Sequence, residues 1–198
     1  MKRIASLLLG LIALAACDTE PTTTPATERA IIAAAQPNGA TLTKGLGASV
    51  EQDLARLRAA TARFHRYDAA KGQYTFLFMN MCMSGATGNN VGGMGYHWVN
   101  TGLLDSHVDV ETPEALLYEP EADGRQRLVA VEYVIPKGLW HNAEAPTLFA
   151  QTFKLNKLDL WALHVWVWKD NPDGLFADWN PLVTCENAAP QAASAMVH

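Results

Sequence analysis

Hydrophobic residues return at helical spacing over one stretch of this chain and at every second position over several others. Val50, Leu54, Leu57, Thr61 and Phe64 share one face of a 3.6-residue period, and Glu51, Asp53, Arg56, Arg58 and Arg63 take the other positions. The spacing predicts an amphipathic helix over residues 49–68. Ser49-Val50-Glu51-Gln52 has the form of a capping box, and Lys71-Gly72 supplies a stop. From Tyr74 onward the period shortens to two, and six strands are expected over residues 74–83, 94–100, 115–119, 127–135, 147–155 and 158–169. Asp123-Gly124 is a hairpin turn signal between the third and fourth. Most intervals are too short for crossover helices, so the pairing should be antiparallel. The expected class is α+β: one N-terminal amphipathic helix packed on a curved antiparallel sheet, roll or partly closed barrel.

The last strand, LDLWALHVWVWK, is the most hydrophobic run of the expected domain. Both of its alternation sets are mostly apolar, so it is expected as a central strand covered on each side, with His164 in the interior. A buried imidazole needs partners for its ring nitrogens. His97 lies on another strand, just after Gly92-Gly93-Met94-Gly95-Tyr96. The paired glycines permit positive φ, and Gly95 is expected to leave open space beside His97. This glycine run lacks the G-x-G-x-x-G spacing and a following Walker lysine, so it is not a phosphate loop.

Glu132 shares a strand face with Leu128, Ala130 and Val134. Together with His97 and His164 it makes a two-imidazole, one-carboxylate set, which suits zinc or another divalent first-row transition metal ion. The same three residues also suit a metal-free ligand or catalytic pocket, or a structural polar cluster, since no local H-x-x-x-H spacing fixes their geometry. Tyr96 and Asn100 are expected close by, completing a ligand-binding group of Tyr96, His97, Asn100, Glu132 and His164. Met79, Met81 and Met83 alternate and should share a face near Met94, a set that fits Cu(I) or plain core filling. No G-x-S-x-G elbow is present. Glu114, Glu119 and Glu132 offer carboxylates without a defined separation, so no reaction is named and enzyme status stays open. The alternatives to a small-ligand or metal-binding domain are a hydrolase using a His–carboxylate pair and an envelope interaction domain with no catalytic site. His65, His107, His141 and His198 sit in polar or terminal contexts and are expected at the surface.

Charge excludes more than it assigns. Fifteen Lys and Arg against twenty Asp and Glu give a net charge of −5 and a pI near 5.6. With no basic stripe, neither nucleic acid nor electrostatic docking on anionic lipid is expected.

The N-terminus carries an address. Lys2 and Arg3 precede an apolar stretch over residues 4–13 and then Leu14-Ala15-Ala16-Cys17. That layout predicts a secretory signal peptide over residues 1–16, too short to be a permanent membrane helix. The ending resembles the lipobox of bacterial lipoproteins. The resemblance implies that Cys17 is acylated and becomes the new N-terminus, holding the protein on the cell membrane and facing the periplasm or cell exterior; an ordinary cleaved signal is the alternative. The acyl chains would make the membrane a partner, beside a small-molecule or envelope partner. Residues 17–45, rich in Thr, Pro, Ala and Gly, are expected as a tether, residues 46–186 as a single domain and residues 187–198 as a disordered tail. Setting Cys17 aside leaves Cys82 and Cys185, an even pair in an oxidising compartment; a disulfide or two buried thiols both fit.

The ordered blocks GGMGYHWVN, PEALLYEP, RLVAVEYVIP, PTLFAQTF and LHVWVWKDNPDGLFADWNPLVTC together resemble a family of uncharacterised secreted bacterial proteins. The resemblance spans residues 74–185. It rests on a G-M-G-x-H block at Gly93 to His97 and a terminal block from His164 to Cys185, and it includes a cysteine matched by Cys82. It implies that Cys82 and Cys185 are paired. It carries no assigned activity, and the alternating methionines are not part of the family's pattern.

Overall fold

The computed structural model describes residues 47–85 and 92–189. The expected signal peptide, Cys17, the tether, His198 and most of the expected tail lie outside the described residues. Among the described residues two helices come first, α1 (Ala48–Thr61) and the short α2 (Tyr67–Ala70), with a 3-10 turn (Ala62–Phe64) after α1. Eight strands follow: β1 (Phe76–Ser84), β2 (Gly93–Val99), β3 (Ala115–Pro120), β4 (Gln126–Pro136), β5 (Thr147–Leu148), β6 (Gln151–Thr152), β7 (Lys154–Leu155) and β8 (Leu160–Val165). Six of them form one sheet in the order β1-β2-β3-β4-β8-β7, every neighbouring pair antiparallel, curled into a half-barrel. β5 and β6 make a separate small ladder. The α+β class and the antiparallel pairing follow the hydrophobic pattern.

The helical segment covers one face of the sheet. Val50, Leu54, Leu57 and Thr61 are buried, as the helical period predicts. Tyr118 on β3 donates its hydroxyl to the Phe64 carbonyl at 2.7 Å, and Tyr67 stacks on Trp98 of β2 with ring centroids 4.1 Å apart. Tyr133 on β4 donates to the Val110 carbonyl at 2.7 Å, and Trp168 donates its indole N–H to Thr61 Oγ1 at 3.1 Å. These three polar tips thus find acceptors, which limits the cost of desolvating them, whereas the buried Trp161 indole N–H has none among the described residues.

Several boundaries differ from the sequence expectation, and each difference has a local cause. The helix starts one residue early with Gly47 as N-cap and no side-chain cap, so the Ser49 capping box does not form. It ends at Thr61 rather than near residue 68. The Thr61 hydroxyl bonds back to the Leu57 carbonyl at 2.7 Å, and the chain then extends so that the His65 carbonyl accepts from Leu128 N at 3.0 Å and Arg66 bridges to Arg127. Sheet pairing outcompetes the last turn of helix. The expected strand over residues 147–155 is broken into three pieces because Phe149 and Ala150 adopt positive φ of 52° and 56°. Met79 and Asn80 do the same in β1, at 53° and 51°, where the register against β2 shifts. This bulge breaks the Met79/Met81/Met83 alternation: Met79 is exposed, so the expected shared methionine face does not exist.

The last long strand is not central. β8 lies second from the edge and ends at Val165, after which Trp166 N bonds to the Leu175 carbonyl at 2.9 Å instead of continuing a ladder. The buried centre of the sheet is β3 and β4. β3 shows no alternation because both of its faces are covered. Glu119, buried at its end, is held by Lys169 Nζ at 2.6 Å and 2.8 Å and by the Thr184 backbone N–H at 3.0 Å. That network ties the C-terminal segment to the sheet, and the disulfide between Cys82 of β1 and Cys185 ties it again. Within the described start of the expected tail, Ala188 packs partly buried against the core and Ala189 N donates to the Tyr96 hydroxyl at 3.1 Å.

Candidate functional site

Strand register brings His97, Glu132 and His164 together on the face opposite the helix. Across the sheet, Val99 of β2 pairs with Ala115 of β3, Ala115 with Glu132 of β4, and Glu132 with His164 of β8. His164 and Glu132 are therefore direct cross-strand neighbours, whose side chains meet on one face. His97 lies two residues from Val99 along β2 and so projects to the same face. One strand, β3, lies between β2 and β4, which puts the two backbones two strand spacings apart, roughly 10 Å in a flat sheet. The inward curl of the half-barrel shortens that gap, and Ala115, standing between them, presents only a methyl group.

The resulting distances are distinctive. His97 Nε2 lies 3.7 Å from Glu132 Oε2, and His164 Nε2 lies 3.6 Å from Glu132 Oε1. One donor atom from each residue falls within 4.8 Å of the others. The two imidazole rings stand edge to face, with centroids 5.9 Å apart and planes at 88°. These separations exceed hydrogen-bond length, so the three groups do not satisfy one another. His164 Nε2 is buried and has no hydrogen-bond partner among the protein atoms. His97 Nδ1 lies 3.3 Å from the Gly95 carbonyl. A carbonyl only accepts, so the ring proton sits on Nδ1 and the Nε2 lone pair faces Glu132.

Burial governs the charges. It pushes the His97 imidazole down to about 3, with the nearby His164 ring adding to the effect and the Gly95 carbonyl opposing it. It takes His164 down to about 4, helped by the Lys154 ammonium. It lifts the Glu132 carboxyl to about 8, with Glu114 and Asp178 pushing the same way. At neutral pH the two imidazoles are uncharged and Glu132 is largely protonated. The 3.6 Å and 3.7 Å contacts are therefore not ion pairs; they are three neutral groups aimed at a common point.

That point opens on a cavity of about 350 Å³ with mostly apolar walls. Met83 of β1 and Met94 of β2 contribute to it, as do Leu104, Lys154, Asp178 and Trp179 from outside the two histidine strands. Of these the sequence pattern placed only Met83 and Met94 near one another; Leu104, Asp178 and Trp179 lie in irregular segments without a period to assign them a face.

Two of the residues expected beside the histidines are elsewhere. Tyr96 alternates to the opposite face of β2, where its hydroxyl accepts from Ala189 N. Asn100 lies past the end of β2 and caps a turn, its Oδ1 accepting from Gly102 N at 3.1 Å. Gly95 does not open space beside His97 either. With φ at +88°, a Cβ there would meet the Tyr118 carbonyl oxygen of β3 at 2.4 Å, so the glycine permits close backbone approach instead. Glu114 and Glu119 do not join the cluster. Glu114 is buried and accepts from Val134 N at 3.0 Å, and Glu119 is engaged by Lys169 and Thr184. His65, His107 and His141 are exposed.

No family model matches the chain, and neither the curated proteins nor the solved structures compared with it give a match. Among the described residues no helix is long and apolar enough to cross a membrane.

Proposed function

We propose that this is a lipid-anchored protein of the cell envelope whose domain binds a divalent first-row metal ion through His97, Glu132 and His164. The observation that carries the metal reading is the convergence of three donors on one point, with the His164 Nε2 lone pair or proton buried and unpartnered. Leaving a buried polar atom unpaired costs about 1–3 kcal/mol, so it calls for a partner. A tetrahedral ion with bonds of about 2.0–2.1 Å sets its ligands roughly 3.4 Å apart, near the 3.6 Å and 3.7 Å found here. The Gly95 carbonyl on His97 Nδ1 is the kind of outer contact that fixes a ligating tautomer. Both imidazoles are already neutral, as metal ligation requires, and Glu132 would lose its proton on binding.

Three protein ligands leave a coordination position open, unlike a closed structural site. The metal reading is favoured over a hydrolase using a His–carboxylate pair because neither imidazole is within hydrogen-bond reach of the Glu132 carboxylate. Anchoring is supported by Leu14-Ala15-Ala16-Cys17, and an exported location agrees with the Cys82–Cys185 disulfide.

Calorimetric titration of the chelator-stripped full chain with zinc tests the metal reading. One site is expected in the wild type and none in His97→Ala or His164→Ala; a wild type that takes up no zinc, copper, iron or manganese contradicts it. Anchoring is tested by Cys17→Ser, which should move the protein out of the membrane fraction. Unchanged fractionation contradicts acylation at Cys17.

A further inference from the structure

The three donors form the floor of the 350 Å³ cavity, and the rest of its lining is strongly segregated. Phe76 and Phe78 of β1, Val99 of β2, Val134 of β4, and Leu160 and Ala162 of β8 make apolar walls. Among the described residues, charged, imidazole and amide side chains line it in two places: the floor, and the rim, where Lys154 Nζ and Asp178 Oδ1 pair at 2.8 Å beside Asn156. Phe76 and Leu158 line the cavity yet are half exposed, so the open side is itself apolar. A volume in the range of about 300–1,000 Å³ with apolar walls and a few convergent polar groups is the form of a small-molecule site.

The floor limits what the polar end of such a molecule can be. This step rests on the metal reading above. Two neutral imidazoles and one carboxylate leave a bound divalent ion with one uncancelled positive charge in an apolar surrounding, where isolated charge is costly. All three donors line the cavity, so the open coordination position faces into it. A single anionic oxygen donor from the ligand would cancel the charge and fill the position. Among the described residues, the rim's Lys154 is paired with Asp178 and so is not free for a second acidic group, and the walls are apolar.

We propose that the cavity binds a small amphiphilic monocarboxylate, its carboxylate on the metal held by His97, Glu132 and His164 and its hydrocarbon body against Phe76, Phe78 and Leu160. The class is that of short-chain aliphatic or arylalkyl acids. Dicarboxylates and sugars are excluded by the apolar walls.

The test uses the full chain in phospholipid nanodiscs, 4-phenylbutanoate as probe and 4-phenylbutan-1-ol as its neutral counterpart, with binding read by calorimetry. Zinc-loaded protein should bind one equivalent of the acid, at least about tenfold more tightly than the alcohol. Removing zinc should weaken the acid at least about tenfold. Ala162→Phe and Leu104→Trp, which fill the cavity and replace no donor, should lose the acid while keeping the zinc site. A chain that binds zinc but ignores 4-phenylbutanoate overturns this inference and leaves the metal reading standing. A chain that binds no metal overturns both. Acid bound equally well with and without zinc, or equally well by both filled variants, overturns the metal-bound pose.

Discussion

Glu132 on β4 and His164 on β8 are direct partners across an antiparallel ladder, yet their nearest polar atoms stop 3.6 Å apart. A cross-strand pair meant to satisfy itself would close to hydrogen-bond length, at little cost in side-chain rotation. The gap is instead shared with His97, on the far side of β3, which reaches the same carboxylate from 3.7 Å. The stability of the metal-free protein is set against this arrangement, which gives a first prediction.

Replacing His164 by Phe removes a buried imidazole whose Nε2 has no partner. Metal-free His164→Phe should be more stable than metal-free wild type by about 1–2 kcal/mol, because an apolar ring of similar shape carries no desolvation penalty. The same variant should lose any rise in thermal midpoint on adding zinc. Thermal melts with and without zinc check both halves. A metal-free variant clearly less stable than wild type would mean that the imidazole is satisfied within the protein.

The buried Glu114 carboxyl makes stability depend on pH in a defined direction. Burial lifts it from 4.5 to about 8, against the opposing hydrogen bond from Val134 N. The folded state therefore holds a proton that the unfolded chain has released between these two values, and stability falls as pH rises through that window. Glu114→Gln keeps an acceptor for Val134 N and has no proton to lose. The variant should gain on wild type progressively between pH 5 and pH 8, by at most ~5 kcal/mol. Urea titrations across that range measure it, and a constant difference between the two proteins would refute the assignment.

The Cys82–Cys185 bond closes a loop with a sequence separation of 103 residues and joins β1 to the segment that carries Thr184. In the chain-entropy account a loop of that length contributes about 4–5 kcal/mol. The Cys82→Ser, Cys185→Ser double variant should be destabilised by roughly that amount. Thiol counting on unfolded wild type should find no free thiol at these positions until reductant is added.

Two glycines with similar φ separate backbone strain from steric clash. Gly95 has φ +88° and a Cβ position 2.4 Å from the Tyr118 carbonyl oxygen; Gly124 has φ +79° with nothing within 4 Å. Gly124→Ala should cost only about 1 kcal/mol, the price of positive φ alone. Gly95→Ala should cost more than about 3 kcal/mol, because β2 and β3 must part to admit the methyl group, and it should loosen the contact that orients His97. Equal losses in chemical denaturation would contradict this distinction.

The three central side chains were legible in the sequence because strand alternation is strict wherever φ stays negative. His97, Glu132 and His164 each lie in an unbroken stretch of strand, so their faces followed from counting. Where non-glycine residues take positive φ, as at Met79, Asn80, Phe149 and Ala150, the count slips and the methionine face was misplaced. Nothing in those residue types announces a bulge. Tyr96 shows a different limit: it neighbours His97 in the chain, and alternation itself sends it to the other face. Apolarity on both sides of β8 suggested a central strand, but coverage near an edge by irregular chain gives the same pattern. The cavity walls depend on loops without a period, so Leu104, Asp178 and Trp179 had no signal that sequence spacing could carry.

The most direct test of the account is the metal content of the full chain purified from its native source without chelators. About one equivalent of a single divalent first-row ion per chain is expected, falling to background in a folded His97→Ala, His164→Ala variant. Wild-type protein without metal, or a double variant that retains the same equivalent, would contradict the assignment of these three side chains as ligands.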